Sequence, residues 1–273
     1  MTLFHDTVQS AGSVTAAVAD RVDVGDITLP AGNWVITRVW AHAMLAGTIT
    51  AVEGIMGYIQ IESTDCSIAP CEFLLEPITG ALGTGEMEAP VLEPRKYIVN
   101  CNAPGGAVLS VYHVCDATIS TSLSEVIVTV EFSQASPFGS GQIHMKCGEP
   151  SVTGSVSDGG TADLTNIEIK ASKLLAVVTY VAAITAVAST GHMLMFEMKS
   201  TDFAENGPHR WATNVQRAGG VATNSSGQLA QTQFVEVDAG FTSPGQKQTI
   251  SAVVTAYDAV TTGPEVNWCL VYV

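Results

Sequence analysis

Two short stretches of this chain contain residue types that bind metal ions. His144 lies three residues before Cys147, but no second His or Cys pair completes the spacing of a zinc site. The segment from Ser157 to Asp163 has the glycines and acidic residues of a calcium loop. It lacks the alternating carboxylates and the closing Glu that Ca²⁺ requires. The sequence therefore predicts a solvated loop at the first stretch, a glycine turn at the second, and no metal site.

Residues for acid–base or nucleophilic catalysis are equally sparse. Glu53 and the pair Glu86 and Glu88 could serve as paired carboxylates in glycoside hydrolysis. Glu86 and Glu88 lie in a stretch rich in Gly and Pro, which favours solvated charges. The segment 139–141 is not the Gly-x-Ser-x-Gly elbow of a serine hydrolase, and no glycine-rich loop opens a helix to hold a nucleotide. We predict no catalytic residue, no cofactor and no enzymatic activity.

The tryptophans and cysteines have structural interpretations. Trp34 and Trp40 are six residues apart, which places them on one face of a continuous strand, as a sugar-binding platform or as core. Trp40 aligns with Leu175 in an internal repeat, which favours the core. Cys66 and Cys71 flank a short loop and could close it as a disulfide. The default expectation for all six cysteines is reduced, mostly buried thiols.

The composition sets limits on function. Of the 273 residues, 47% are hydrophobic and 14% are charged, which allows large cores and leaves few charges for the surface. Such a surface fits a protein covered by neighbouring copies, or a monomer with a Ser/Thr/Asn-rich exterior. The net charge of −15, with no basic run, argues against direct binding of nucleic acid. We expect neither a signal peptide in residues 1–25 nor a transmembrane segment, because the most apolar run, 174–188, is too short.

The strongest pattern is an internal repeat. The segment Ser63-Thr64-Asp65 recurs as Ser200-Thr201-Asp202, at an offset close to half the chain length. The other matched landmarks keep the same order and pair residues 38–41 with 173–176, 49–52 with 184–187, 54–56 with 191–193, 109–110 with 250–251, 116–117 with 258–259, and 125–132 with 265–273. Such a repeat predicts one structural unit used twice in tandem. The alternative is chance similarity among strands rich in Val, Thr and Ala.

Strand patterns fill both halves. Short β-rich runs alternate with Gly and Pro turns, which is typical of a sandwich or barrel. Residues 173–187 are Ala-rich and could form a helix, but the repeat assigns them to strands. We therefore predict an all-β chain of two tandem antiparallel jelly-roll barrels or sandwiches related by internal duplication. The predicted parts are an N-terminal lead-in at 1–25, a first domain at 26–135, a Gly/Pro-rich linker at 136–163 and a second domain at 164–273, with long loops at 79–95 and 201–227.

On these features the chain resembles the double jelly-roll major capsid proteins of tailless icosahedral viruses of bacteria and archaea. The resemblance covers the whole chain and rests on the tandem β-units, the modest length, and strands such as 27–32 leading into 34–40. It implies two eight-stranded jelly rolls side by side, trimers with six barrels and a pseudo-hexagonal outline, and shells that often enclose a membrane. The short loops depart from larger members, so we expect no tall outer towers. The clear match between the halves is also unusual for that family, and it leaves open two tandem sandwiches in another assembly.

Three functional hypotheses follow. The first is a self-assembling viral capsid subunit located in the virion, with copies of itself as partners in trimers within a lattice, and with minor capsid proteins or an internal membrane as further partners. The second is a subunit of an extracellular tube or fibre, with residues 1–24 donated to a neighbour. The third is a secreted glycan-binding sandwich, which the aromatic content of only 7% disfavours. Deleting residues 1–20 separates the first two, because a donor-strand fibre would fall apart.

Overall fold

A computed structural model describes residues 2–10, 20–46, 57–82, 85–88, 94–114, 123–149, 151–152, 156–182, 193–205, 207–214, 232–257 and 265–273. These residues form strands and contain no helix, so the chain is all-β as predicted. No helix of this part of the chain is long and apolar enough to cross a membrane. The predicted repeat segments 49–52, 54–56, 116–117, 184–187, 191–192 and 258–259 lie outside the described residues.

The strands of the first half form a jelly-roll barrel. They are β1 (Phe4–Gln9), β2 (Arg21–Thr28), β3 (Asn33–Ala46), β4 (Tyr58–Glu62), β5 (Cys71–Leu74), β6 (Glu76–Leu82), β7 (Gly85–Glu88), β8 (Tyr97–Pro104), β9 (Val108–Val114) and β10 (Leu123–Ser133). One sheet, which we name the β10 sheet, has the order β1-β10-β3-β8, and the β9 sheet has the order β2-β9-β4-β5. Apart from the inserted β6–β7 hairpin, eight strands alternate between two sheets in the jelly-roll order.

The second half repeats this arrangement. Its strands are β11 (His144–Cys147), β12 (Ser151–Val152), β13 (Thr161–Asp163), β14 (Ile167–Lys170), β15 (Lys173–Ala182), β16 (Met193–Lys199), β17 (His209–Asn214), β18 (Gln233–Gly240), β19 (Lys247–Ala256) and β20 (Glu265–Tyr272). The β20 sheet has the order β11-β20-β15-β18, with β12 also on β20. The β19 sheet has the order β13-β19-β16-β17, with β14 also on β19. Counting β11 with β12, and β13 with β14, gives the strand order of the first barrel.

Several predicted loops contain strands. The prediction of a loop at 79–95 is wrong over β6 and β7, which pair as an antiparallel hairpin. Strand β6 also pairs in parallel with β3, so the hairpin extends the β10 sheet. The predicted loop at 201–227 is wrong over β17, which pairs with β16. Strand β1 lies within the predicted lead-in, and β11 to β13 lie within the predicted linker. Pairing with distant strands orders these Gly- and Pro-rich regions. The prediction of strand over 173–187 is confirmed for β15.

The repeated Ser-Thr-Asp segment performs the same structural role in both barrels. The Asp65 amide donates a hydrogen bond to Ser63 Oγ at 3.1 Å, and its carboxylate accepts one from the Val108 amide at 2.9 Å. In the second barrel, the Asp202 amide donates to Ser200 Oγ at 3.1 Å, and its carboxylate accepts from the Thr249 amide at 3.2 Å. Each Asp thus connects the turn after β4 or β16 to the beginning of β9 or β19.

We predict that Asp65→Ala and Asp202→Ala each lower the free energy of unfolding by about 1 kcal/mol, because each removes the acceptor of a backbone amide. Thr64→Ala and Thr201→Ala are matched controls, since both threonines are exposed. Equilibrium urea unfolding measures all four variants. Equal effects of the Asp and Thr substitutions would contradict the assigned role.

A bulge also recurs at the same place in both barrels. Opposite β10, strand β3 has one extra residue between Ile36 and Arg38, and opposite β20, strand β15 has one between Leu174 and Ala176. This register aligns Arg38 with Ala176, so the predicted match of 38–41 with 173–176 is wrong by three residues. The adjoining strands β8 and β18 carry the two non-glycine residues with left-handed backbone among the described residues, Asn100 at φ 54° and Asp238 at φ 55°. The shared irregularity supports descent of the two barrels from one unit.

The bulge changes which face Trp40 occupies. Trp34 lies in the first core together with Val39 and Ala41. Since successive residues of a strand point to opposite faces, Trp40 lies on the outer face of the β10 sheet. There its ring lies 5.7 Å from the ring of His5. The prediction that the two tryptophans share one face is therefore wrong, because it assumed a strand without a bulge.

Candidate assembly surfaces

The two barrels are joined by a continuous sheet. Strand β11 of the β20 sheet pairs in parallel with β5 of the β9 sheet, with Met145 opposite Cys71. The Met145 amide donates to the carbonyl of Pro70 at 3.2 Å. The Cys147 amide donates to the carboxylate of Glu72 at 2.9 Å. We call this junction the seam.

Both faces of β15 and β20, the two central strands of the β20 sheet, are largely buried. Along β20, Val266, Trp268, Leu270 and Tyr272 pack in the second core. The alternate residues on the other face pack in the cluster that contains the first core, and they are Ala176, Val178, Tyr180, Cys269 and Val271. The outer wall of the second barrel is therefore apolar, and it continues the inner wall of the first barrel across the seam.

The equivalent outer face of the first barrel has different chemistry. Glu131, at the register position of Val271, has a side chain only 4% exposed. Its carboxylate accepts hydrogen bonds from Thr37 at 2.6 Å and from Arg38 at 2.9 Å. His5 Nε2 on β1 lies 3.5 Å from the same carboxylate. An ionic network thus occupies the face that is apolar in the second barrel.

The chain segment between the barrels runs across this charged face. The Asn100 side-chain amide donates to the carbonyls of Gly139 at 3.2 Å and Gly141 at 2.6 Å, and its oxygen accepts a hydrogen bond from Ser136. The guanidinium of Arg38 lies 4.7 Å from the ring centre of Phe138. The left-handed Asn100 therefore anchors the segment that leads from β10 to β11.

Strand β1 forms an exposed edge of the β10 sheet. Its residues pair with β10 from Phe4 opposite Phe132 to Gln9 opposite Ile127. Leu3 and Phe4 are 41% and 40% exposed. An edge strand with exposed apolar residues can pair with another chain, so this edge is a candidate contact between copies.

A cleft between the barrels has a volume of about 540 Å³. Its apolar walls include Ile143, Met145 and Val271. At the wall, the guanidinium of Arg95 lies 4.9 Å from the ring centre of Phe234. A second cleft of about 480 Å³ lies beside the seam, and its lining includes His144, Lys146, Glu168, Lys170 and Lys247.

Glu72 places a carboxyl group with little solvent access at the seam. The residue is 8% exposed, and Gln60 donates a second hydrogen bond to its carboxylate at 3.4 Å. Burial raises the pKa of Glu72, and the hydrogen bond from the Cys147 amide and the charge of Lys146 oppose that shift. Since the folded-state pKa exceeds the unfolded value, the contribution of Glu72 to stability is fully present below the unfolded pKa. It is lost as the pH rises through the folded pKa.

We predict that Glu72→Gln raises the thermal midpoint of unfolding at pH 7, because Gln retains the acceptor for the Cys147 amide without a buried charge. At a pH below the unfolded pKa of Glu, the variant and the wild type should unfold at similar temperatures. Scanning calorimetry across this pH range tests the prediction. A constant difference at every pH would show that the ionisation of Glu72 is not the cause. Glu62→Gln, at a more exposed neighbouring carboxylate, is the control.

The cysteines differ from expectation. Cys147 and Cys269 oppose each other on β11 and β20 and form a disulfide. The expectation of reduced thiols is therefore wrong for this pair, whose partners are brought together only by strand pairing. Cys66, Cys71 and Cys101 are free, so the loop between Cys66 and Cys71 is not closed by a disulfide. Cys115 lies outside the described residues.

The other candidate metal-binding and catalytic residues lie far apart in the fold. His144 lies on β11, with its ring 5.7 Å from that of Tyr272. The Gly160 amide donates to the Ser157 carbonyl at 2.8 Å, which is a tight turn. Glu86 and Glu88 lie on β7, and Glu53 lies outside the described residues. Within the described ranges, no three His, Cys, Asp or Glu residues are grouped to hold a metal ion.

Sequence reasoning missed the apolar outer wall of the second barrel, although a signal is present. In β10, Thr129 and Glu131 alternate with buried valines, which is typical of a sheet with one buried face. In β20, Cys269 and Val271 stand at the corresponding positions, and the strand is apolar on both sides. Loss of alternation in one copy of a repeat indicates a sheet covered on both faces.

Comparison with known proteins gives likeness in structure alone. No family model and no curated protein matches the chain. The chain is similar to the crystal structure of the STIV MCP, with 9% sequence identity and a TM-score of 0.44, over 100% of this chain and 96% of that chain. It is also similar to a structure of infectious bursal disease virus, Gx strain, with 10% identity and a TM-score of 0.26, over 99% of this chain and 70% of that chain.

Proposed function

We propose that this chain is a structural, non-enzymatic protein that assembles with copies of itself into a viral shell, as a major capsid subunit. The observation that carries the proposal is the fusion of two jelly-roll barrels through one continuous sheet. Their contact is a barrel-to-barrel interface in which the apolar wall of one barrel is buried against the next. A chain that contains this interface is suited to forming similar contacts with its neighbours.

The energetics of such contacts require no single strong site. Burial of apolar area contributes about 25 cal/mol per Å², so many modest contacts together stabilise a lattice. A heterologous interface, repeated around an axis, closes into a ring when its rotation permits. Two similar barrels per chain would give a trimer six barrels, and the exposed edge at β1 is one surface available for contacts within the lattice.

The proposed partners follow from the same features. Copies of this chain are the main partner, and minor capsid proteins or an internal membrane are further ones. The net charge of −15 disfavours direct contact with the phosphates of a genome. We place the protein in the virion.

Light scattering coupled to size-exclusion chromatography tests the proposal, over a wide range of protein and salt concentrations. We expect trimers or larger species, with closed particles in negative-stain micrographs under assembly conditions. A protein that is strictly monomeric throughout would overturn the proposal. Open tubes or fibres would also overturn it, in favour of the second hypothesis.

A further inference from the structure

Strands β1 and β11 occupy equivalent places in the two barrels, but only β11 has a partner on its outer side. On β1, His5 opposes Glu131. On β11, Met145 opposes Val271, the residue at the position of Glu131. His5 is therefore the equivalent of Met145. Met145 is buried where β11 meets β5, whereas the side chain of His5 is 49% exposed.

Strand β17 is likewise the equivalent of β5. Ile61 and Met198 each lie two residues before a Ser-Thr-Asp segment, and their strand partners are Cys71 on β5 and His209 on β17. Strand β5 is buried throughout, whereas β17 has exposed residues. Among the described strands, β17 pairs only with β16. The counterparts of the two strands that form the seam are therefore both sheet edges.

The main chain at these two edges offers the hydrogen bond that is made at the seam. There, the Met145 amide donates to the carbonyl of Pro70 at 3.2 Å, directly before β5. A proline also directly precedes β17, and this residue, Pro208, is exposed. The Ser10 amide donates to β10 at 3.0 Å, and amides alternate in direction along an antiparallel strand, so the His5 amide points to the free edge.

The charges at the two free edges are the reverse of those at the seam. At the seam, Lys146 on β11 and Glu72 on β5 attract each other. The registers place Asp6 of β1 at the position of Lys146, and Arg210 of β17 at the position of Glu72. The side chain of Arg210 is 56% exposed. The edges of β1 and β17 are therefore complementary in charge.

The reversal also agrees with the hydrogen bonding of the edge amides. At the seam, the Cys147 amide requires the carboxylate of Glu72 as its acceptor. Thr7 is the equivalent of Cys147, and its amide donates to the carboxylate of Asp6 at 2.8 Å. Because β1 supplies its own carboxylate, a basic residue on the facing strand leaves no amide without an acceptor.

We propose that β1 of one copy pairs in parallel with β17 of a neighbouring copy, with His5 opposite His209 and Asp6 beside Arg210. This inference rests on the proposed function, because it names the contact through which the copies assemble. Addition of an edge strand to a second sheet is a common mode of association. The contact is heterologous, so it joins chains head to tail and closes a ring if the rotation permits.

Disulfide cross-linking between two single variants tests the pairing. His5→Cys and His209→Cys are introduced into separate full-length chains with different tags, which are co-expressed and then oxidised with copper phenanthroline. Paired strands lie about 4.8 Å apart, within the range that a disulfide spans. We expect a covalent dimer of the two chains, with peptide mapping that joins residues 5 and 209. Asp158→Cys, in an exposed turn, replaces His5→Cys in the matched control and should give no dimer.

Charge reversal tests the contact between Asp6 and Arg210. Asp6→Arg and Arg210→Asp each place like charges together, and each should raise the dissociation constant of the assembly about tenfold. The double variant restores opposite charges and should assemble like the wild type. Light scattering over a concentration series measures all four proteins, and recovery in the double variant shows that neither single change acts by unfolding the chain.

The outcomes separate this inference from the proposed function. Oligomers that show neither the cross-link nor the charge dependence would overturn the contact between β1 and β17 and leave the proposed function standing. A dimer that also forms in the Asp158→Cys control would overturn the contact, because it would reflect random collision. A protein that is monomeric at every concentration would overturn both.

Discussion

Reduction of the Cys147–Cys269 disulfide is expected to lower the free energy of unfolding by about 4 kcal/mol. The two cysteines are separated by 122 residues, which include every strand from β12 to β19. A cross-link that closes so long a loop removes much of the conformational freedom of the unfolded chain, and this destabilises the unfolded state. Equilibrium unfolding in urea, with and without reductant, measures the effect.

The double variant Cys147→Ser/Cys269→Ser is the matched control for that experiment. Its free energy of unfolding without reductant should equal that of the reduced wild type within about 1 kcal/mol. The remaining difference reflects the free energy of burying a Ser hydroxyl in place of a Cys thiol. Reductant should leave the variant unchanged. If reductant destabilises the variant as much as the wild type, another thiol is responsible and the assigned bond is wrong.

Trp268→Ala is expected to lower the free energy of unfolding by about 3–5 kcal/mol, the usual cost of emptying a site filled by a large aromatic side chain. Trp268 is fully buried in the second core, and its ring lies 5.7 Å from the ring of Phe196. The main chain at Gly148 closes over it, because a Cβ at that position would lie 2.8 Å from Trp268 Nε1. Urea unfolding followed by circular dichroism measures the loss.

Trp268→Phe is the control for this substitution. It keeps an aromatic ring and removes an indole N–H that has no hydrogen-bond partner among the described residues, so the loss should be clearly smaller. Gly148→Ala should also be destabilising, because the added methyl group displaces the indole ring. Equal losses for the Ala and Phe variants would show that the volume of the ring is not what stabilises the second core.

The all-β architecture with two similar barrels could be predicted from the sequence because the sequence contains an internal repeat. The Ser-Thr-Asp segments make the same hydrogen bonds in both barrels, so their match reflected a real structural equivalence. The repeat also resolved the Ala-rich β15, whose composition is compatible with a helix. The match at Arg38 failed because short runs of Val, Leu and Ala resemble one another in several registers. The bulge that both strands share reveals the true register only in the structure.

The features of the seam could not be predicted in the same way. Residue spacing does not specify which cysteines meet, and Cys147 reaches Cys269 only because β11 pairs with β20. The burial of Glu72 likewise depends on the approach of β11 to β5 from a distant part of the chain. The apolar residues on both sides of β20 indicate that both faces of this strand are buried. They do not indicate that the outer face packs against the first barrel.

The parallel pairing of β11 with β5 has a mechanical consequence. Main-chain hydrogen bonding joins the two barrels where Met145 pairs with Cys71. A hinge motion between the two barrels would therefore have to break this strand pairing. The two barrels of each molecule are therefore expected to move as one rigid body. If such rigid subunits form a curved surface, the curvature must come from the interfaces between molecules.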